Sequence, residues 1–334
     1  MTTNKTAPVL SIGTHTWNTT PESQSSIQEI LNVMRKHGIK KLDTARSYGQ
    51  GESEAVIGNL GLPKEFEVAT KAATGTWEGA GKREHVLEGA QLSLDALRIS
   101  KIPIYFLHAP DETTPVADTM SAIQELYEHG HFEKFGLSNF TRDQVVELHS
   151  YAKSNGLVLP TVYQSSYSLA VRLNEEGLFP TLRELGFSIQ AYSPMAAGLL
   201  AKTPEYIEQG KGSWDPKTPS GIVYNYQYNK PEYMQMLREY AALSEKSGVS
   251  RTGLAYRWIR YHSMLDGSLG DEMIIGAASA NQLEETLEEL EKGPLEPWAV
   301  KIIDELWDVV KGVAPVDNLE AIRHLVKKLS AGNS

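Results

Sequence analysis

Four residues able to hold or move a proton stand at the ends of short apolar runs in the first third of the sequence. Asp43 lies in the run 41–45 and Tyr48 in the loop behind it. Lys71 follows the run 66–70, and His108 follows the run 104–107. Taken singly, each has an ordinary structural role: a turn carboxylate, a solvated strand-end ammonium, a satisfied core histidine. Taken together they compose a proton-donating device. A phenol with a pKa near 10 gives up its proton reluctantly at neutral pH, and making it a hundred to a thousand times more acidic takes about 3–4 kcal/mol. One ammonium about 4 Å away supplies about that much at an effective dielectric near 20. Lys71 keeps its charge under burial only beside a carboxylate, the part Asp43 can play. His108 can hydrogen-bond the oxygen that receives the proton and fix its direction. The set holds no nucleophile, so another species must bring the electrons.

The elements that carry these residues alternate in kind. Apolar runs at 9–12, 41–45, 66–70, 104–107, 135–137, 161–163, 188–192 and 273–275 are separated by segments of helical periodicity. Those segments are 23–37, 54–60, 83–97, 116–129, 141–155, 178–185, the pair 232–247 and 251–262, and 282–291. Strands without polar alternation suit a parallel sheet covered on both faces. Eight strand–helix units in one composition predict an α/β fold, a (β/α)8 TIM barrel, with a doubly wound sheet as the other arrangement. Residues 200–233 read as a long loop after strand 7, and 298–310 as an extra C-terminal helix. One domain is expected, with its core at about 9–310 and a tail at 311–334. In such a barrel the chemistry belongs at the C-terminal ends of the strands. Ser138, Asn139, Gln164, Tyr192, Ser193 and the segment 276–279 add polar groups there.

The 334 residues carry 32 Lys and Arg against 42 Asp and Glu, a formal charge of −10, which argues against nucleic acid or an anionic membrane as partner. With no cysteine, disulfides, cysteine-bound zinc, iron–sulfur clusters and thiolate nucleophiles are excluded. No apolar run reaches membrane-spanning length, and a cytoplasmic setting is expected. His129 and His131 could bind a metal by spacing but fall on the stability rim, and His15 stands alone after strand 1. No metal site is expected. Gly49 and Gly51 form a broken dinucleotide fingerprint without a βαβ start.

The stretch Asp43-Thr44-Ala45-Arg46-Ser47-Tyr48-Gly49-Gln50-Gly51-Glu52-Ser53-Glu54 resembles the signature of the aldo-keto reductases. Ala69-Thr70-Lys71, Phe106-Leu107-His108-Ala109-Pro110-Asp111 and Gly136-Leu137-Ser138-Asn139-Phe140 do so too. Ala191-Tyr192-Ser193-Pro194-Met195 and Gly293-Pro294-Leu295-Glu296-Pro297 are most similar to the aflatoxin-aldehyde-reductase branch. The resemblance implies a barrel enzyme that reduces aldehydes and ketones with NADPH rather than NADH. It implies Tyr48 as proton donor, Lys71 as the group that lowers its pKa, Asp43 as partner of Lys71 and His108 as orienter of the carbonyl. Ser138, Asn139 and Gln164 match the positions that hold the cofactor carboxamide, and Tyr192 the ring beneath the nicotinamide. Ser193, Pro194, Met195, Gly198 and Leu199 match the pyrophosphate loop. Gly276, Ser279, Gln282 and Glu285 match the adenosine-phosphate segment. A homodimer is suggested by the nearest relatives.

Two departures modify this expectation. Segment 276–286 has no Arg or Lys for a 2′-phosphate, and Thr286 stands where an adenine-facing asparagine is common, so Lys202 is taken as the cation. The stretch 223–228 replaces arginines that would bind an acidic substrate tail. An uncharged aromatic or bulky carbonyl compound is therefore expected, with Trp17, Arg46, Trp77, Phe140 and Tyr226 as pocket residues. The alternative is a cofactor-binding regulatory subunit with little turnover, like the barrel-shaped accessory subunits of potassium channels.

Overall fold

In the computed structural model, which describes residues 5–319, the apolar runs close into a single parallel barrel. The strands are β1 (Val9–Gly13), β2 (Lys41–Asp43), β3 (Glu67–Ala72), β4 (Ile102–Leu107), β5 (Phe132–Ser138), β6 (Pro160–Ser166), β7 (Ser188–Tyr192) and β8 (Glu272–Gly276). They pair in chain order, and β8 returns to β1 with Ile275 opposite Ile12. The TIM barrel expected from the alternation is the observed fold. Strand β2 stops at Asp43 because the chain turns there: the Thr44 N–H donates to the Ala69 carbonyl of β3 and the Arg46 N–H to the Lys71 carbonyl.

Helices α1 (Pro21–Lys36), α2 (Glu52–Asn59), α3 (Arg83–Leu97), α4 (Val116–Glu128), α5 (Arg142–Ser154) and α6 (Leu178–Glu184) cover the outside. Their starts and faces follow from sequence. Thr20 caps α1 by accepting from the Ser23 N–H, Pro21 pre-sets the first turn, and Ile27, Ile30, Leu31 and Met34 form its buried stripe. Thr141 and Gln144 form a reciprocal capping box at α5.

Between β7 and β8 the expected loop is folded. Residues 200–233 contain α7 (Pro204–Glu208) and α8 (Pro219–Tyr228), each opened by a Thr-Pro pair whose threonine accepts an N–H of the first turn. They are followed by α9 (Pro231–Ser247) and α10 (Arg251–Tyr261), and β8 by α11 (Ala280–Glu291). The extra helix α12 (Pro297–Val310) buries Ile303, Leu306, Trp307 and Val310 and packs on α9. Beyond α12 the chain turns back over the mouth of the barrel. There Asn174 donates to the Val316 carbonyl, Gln227 to the Asp317 carbonyl, and the Asn318 amide to Ser193 Oγ at 3.2 Å.

Inside the barrel a small apolar plug of Ala69, Ile104, Phe106 and Val162 is separate from the main core between strands and helices. Gly136 is required here, because a Cβ on it would lie 2.3 Å from the Phe106 ring. Above and below the plug the interior is polar. Lys41 bridges Glu67 and Glu272 at the bottom, while Asp43, Lys71, Gln164 and Gln190 fill the top.

Candidate active site

Strand ends place Asp43, Lys71 and His108 side by side, and a tight turn swings Tyr48 over them. Lys71 Nζ donates to Asp43 Oδ1 at 2.6 Å and to the Thr44 carbonyl at 2.8 Å, and it lies 5.3 Å from the centre of the Tyr48 ring. The Tyr48 and His108 rings meet edge to face with centroids 5.7 Å apart. All but Lys71, which is buried beneath them, line one cavity of about 610 Å³ at the C-terminal mouth of the barrel.

Three supports hold the turn that carries Tyr48. Its N–H donates to the Ala45 carbonyl. Below it, the hydroxyls of Thr14, Ser53 and Thr44 form a buried cluster with 2.8 Å contacts that ties β1 and β2 to α2. Beside it, Arg46 reaches back to the buried carboxylate of Glu54, Nη1 to Oε2 2.9 Å, while Thr70 donates to the other oxygen at 2.6 Å. The guanidinium passes over Gly51, where a Cβ would sit 0.9 Å from Nη2.

The electrostatics differ from the simple expectation. Burial alone would strip the proton from Lys71; the Asp43 carboxylate more than restores it, holding the ammonium above its ordinary range. Burial pushes the Tyr48 hydroxyl upward, and the Lys71 ammonium pulls it down without cancelling that rise. The pull of Lys71 on Tyr48 has the expected direction, while the net direction in the free protein is up. Burial, helped by Lys71 and His15, pushes His108 down to about 3. Its neutral ring has Ser47 Oγ 3.2 Å from Nδ1.

The second half of the cavity is a cradle of amides and a ring. Gln164 donates to Asp43 Oδ2 at 2.8 Å and to Gln190 Oε1 at 3.0 Å, which leaves its carbonyl oxygen for a ligand's donor. Asn139, in a left-handed conformation at φ 61°, donates to the His108 carbonyl and Ser138 Oγ and accepts from the Tyr192 hydroxyl at 2.6 Å. This amide clamps three strand ends. After Tyr192 the chain takes positive φ at Ser193, Ala196, Ala197 and Gly198. The Ala197 N–H bonds to no protein group among the described residues, and Ala197 lines the cavity. Such an unpaired N–H in a left-handed loop suits an anion. Ser138, Pro194, Met195, Gly276 and Gln282 also line this cavity.

Other expected residues lie elsewhere. Leu199 is core. Ser279 caps α11 by accepting from the Gln282 N–H, and Glu285 is exposed on that helix. Thr286 is buried and donates back to the Gln282 carbonyl. The Lys202 ammonium folds over the Tyr206 ring at 4.3 Å, while its carbonyl accepts from Arg251. Of the five expected pocket residues none lines the main cavity. Trp17 is buried in the core, and Phe140 lines a separate cavity with Leu107 and Leu148. Arg46 and Trp77 line a third with His85 and Leu92. Tyr226 points to the exposed side of α8, and Tyr224 enters the cavity in its stead. His15, Ser47, Thr76, Thr252, Tyr256 and Asn318 line it without having been assigned a role from sequence. Among the described residues there is no group of acidic or histidine side chains that could hold a metal, and no helix long and apolar enough to cross a membrane.

Comparison with known proteins adds to the geometry. Residues 9–308 match the model of the Aldo/keto reductase family. The oxidoreductase sirO of Leptosphaeria maculans is 42% identical over 322 residues, covering 94% of this chain and 98% of that protein. Aflatoxin B1 aldehyde reductase member 2 of Rattus norvegicus is 36% identical over 303 residues, covering 85% of this chain and 81% of that protein.

Proposed function

Since the chain belongs to the aldo/keto reductase family and is a nicotinamide-dependent oxidoreductase for carbonyl compounds, we propose that it reduces an uncharged aromatic or bulky aldehyde or ketone, with NADPH as cofactor and Tyr48 as proton donor. The observation that carries this reading is the hydrogen-bonded Lys71–Asp43 pair beneath Tyr48, a residue that lines the same cavity as the amide cradle.

The residues present suit a dinucleotide. The free carbonyl of Gln164 and the hydroxyl of Ser138 offer a carboxamide its acceptor and donor, Tyr192 offers a flat face, and the Ala197 N–H an anion contact. A reduced nicotinamide bound there supplies the hydride to the carbonyl carbon. Tyr48 gives its proton to the oxygen as negative charge develops, and Lys71 stabilises the phenolate left behind. Asp43 keeps Lys71 charged. In this reading His108 carries its proton on Nε2, aimed at the substrate oxygen, the tautomer in which Nδ1 accepts from the Ser47 hydroxyl 3.2 Å away. A neutral His108 holds that oxygen without competing as an acid.

Among the described residues no Lys or Arg lines the cavity, which supports an uncharged substrate. For a 2′-phosphate the cations at hand are Arg251, next to the lining residue Thr252, and Lys202, next to the lining residue Ala201. The test follows NADPH absorbance with a carbonyl panel for wild type and Tyr48→Phe. Turnover falls about 10²–10⁴-fold in the variant while NADPH still binds. Loss of NADPH binding instead of turnover refutes the donor role, and a strong preference for succinic semialdehyde over benzaldehyde refutes the substrate class.

A further inference from the structure

His15 follows β1 and stands beside Tyr48 at the site. Its ring meets that of Tyr48 edge to face, with centroids 4.8 Å apart, and it lines the same cavity as His108. The side chain is exposed to that cavity, yet neither ring nitrogen bonds to a protein group among the described residues. Proximity to Lys71 and partial burial hold the ring below its ordinary pKa, hence neutral, with one donor and one acceptor to offer.

Tyr48 and His108 already converge on one oxygen. A third group beside the phenol, its ring centre 4.8 Å from that of Tyr48, is placed to serve a neighbouring atom of the substrate. A neutral imidazole complements a hydroxyl, which both gives and takes a hydrogen bond. It does not complement a carboxylate, for which the described cavity lining has no cation.

Resting on the carbonyl-reductase reading above, we propose that His15 is a specificity residue that hydrogen-bonds a hydroxyl on the carbon next to the reacting carbonyl, which makes uncharged α-hydroxy aldehydes and ketones the preferred substrates. Thr76 and Tyr224 complete the wall of the same cavity and leave room for the body of such a molecule.

Acetophenone and 2-hydroxyacetophenone differ by that one hydroxyl. Their kcat/KM values with NADPH are compared for wild type, His15→Phe and His15→Gln. His15→Phe lowers kcat/KM for the hydroxyketone about tenfold more than for acetophenone, the worth of one hydrogen bond in a desolvated site. His15→Gln, which keeps a donor and an acceptor, regains part of the difference. An equal loss on both ketones, no loss on either, or a loss carried wholly by KM for NADPH overturns the assignment. If wild type reduces neither ketone, the reductase reading is what fails. Calorimetric binding of the two ketones to the complex with NADP⁺ then decides the role of His15, and equal affinities overturn it.

Discussion

At the scale of single residues the site combines a phenol kept protonated with an ammonium kept charged. Tyr48 is raised above its ordinary value near 10, so under the proposed donor role reduction finds its proton in place at neutral pH. The kcat/KM of reduction is expected to stay level from about pH 7 to 10 and to fall only above that range. Alcohol oxidation needs the phenolate and is expected to rise with pH over the same interval. His108, pushed down to about 3, adds no break near 6.5. Steady-state pH profiles in both directions check this; a reductive profile that breaks near 7 contradicts it. Arg46 illustrates a second residue-scale effect. From sequence it was expected in the substrate pocket. Its partner Glu54 is wholly buried, so Arg46→Met strands a carboxylate and is expected to cost about 3–5 kcal/mol. Pairing it with Glu54→Gln recovers most of the loss. Denaturant unfolding of the single and double variants measures the difference, and equal stabilities refute the pairing argument.

At the scale of elements, the loop after β7 stores strain where a ligand's anion is expected. Alanines 196 and 197 hold φ of 48° and 56° in succession, each at about 1–2 kcal/mol for an L-residue. Ala197→Gly relieves one of these terms and loses about 0.5–1 kcal/mol to chain entropy. A net gain of up to about 1 kcal/mol in the free protein is expected, together with a higher KM for NADPH because the loop is no longer held ready. Thermal unfolding and cofactor titration read the two effects, and a lower KM contradicts the pre-set loop. The same scale shows what the sequence made legible. Apolar runs without alternation placed the strands, because a parallel barrel buries both faces of each. The helices α7 and α8 were read as loop although Thr203-Pro204 and Thr218-Pro219 announce both starts. Without a helix there was no facing to assign, which is why Tyr226 was chosen over Tyr224. Two positions apart on a helix point to nearly opposite sides. Trp17 and Phe140 were misplaced for a related reason: aromatic character does not say which side of a strand-end loop a ring occupies. His15 had its place after strand 1 as a signal but was weighed only as a metal ligand, and Asn318 carried no local signal, since only the returning tail brings it to the mouth.

For the whole molecule, ligand and fold are linked through the cavity they share. A cofactor held by three strand ends and the loop after β7 binds the folded chain alone, and at a hundred times its Kd it adds about 2.7 kcal/mol of stability. Calorimetric melting with NADPH is expected to raise Tm by several degrees. NADH at equal concentration is expected to raise it less, because Arg251 and Lys202 gain nothing from a missing phosphate. A larger rise with NADH refutes the proposed preference.

The barrel also divides its labour along the chain. The groups proposed to handle the proton come from β1 to β4, and those proposed to grip the dinucleotide come from β5 to β8. These two half-barrels meet along two seams, Leu107 against Leu137 and Gly13 against Gly276. A slip of one residue at either seam displaces one half against the other by about 3.3 Å, enough to carry a donor out of reach of its acceptor. Turnover is thus a gauge of how faithfully the two halves have closed, and the first faculty to vanish when they part.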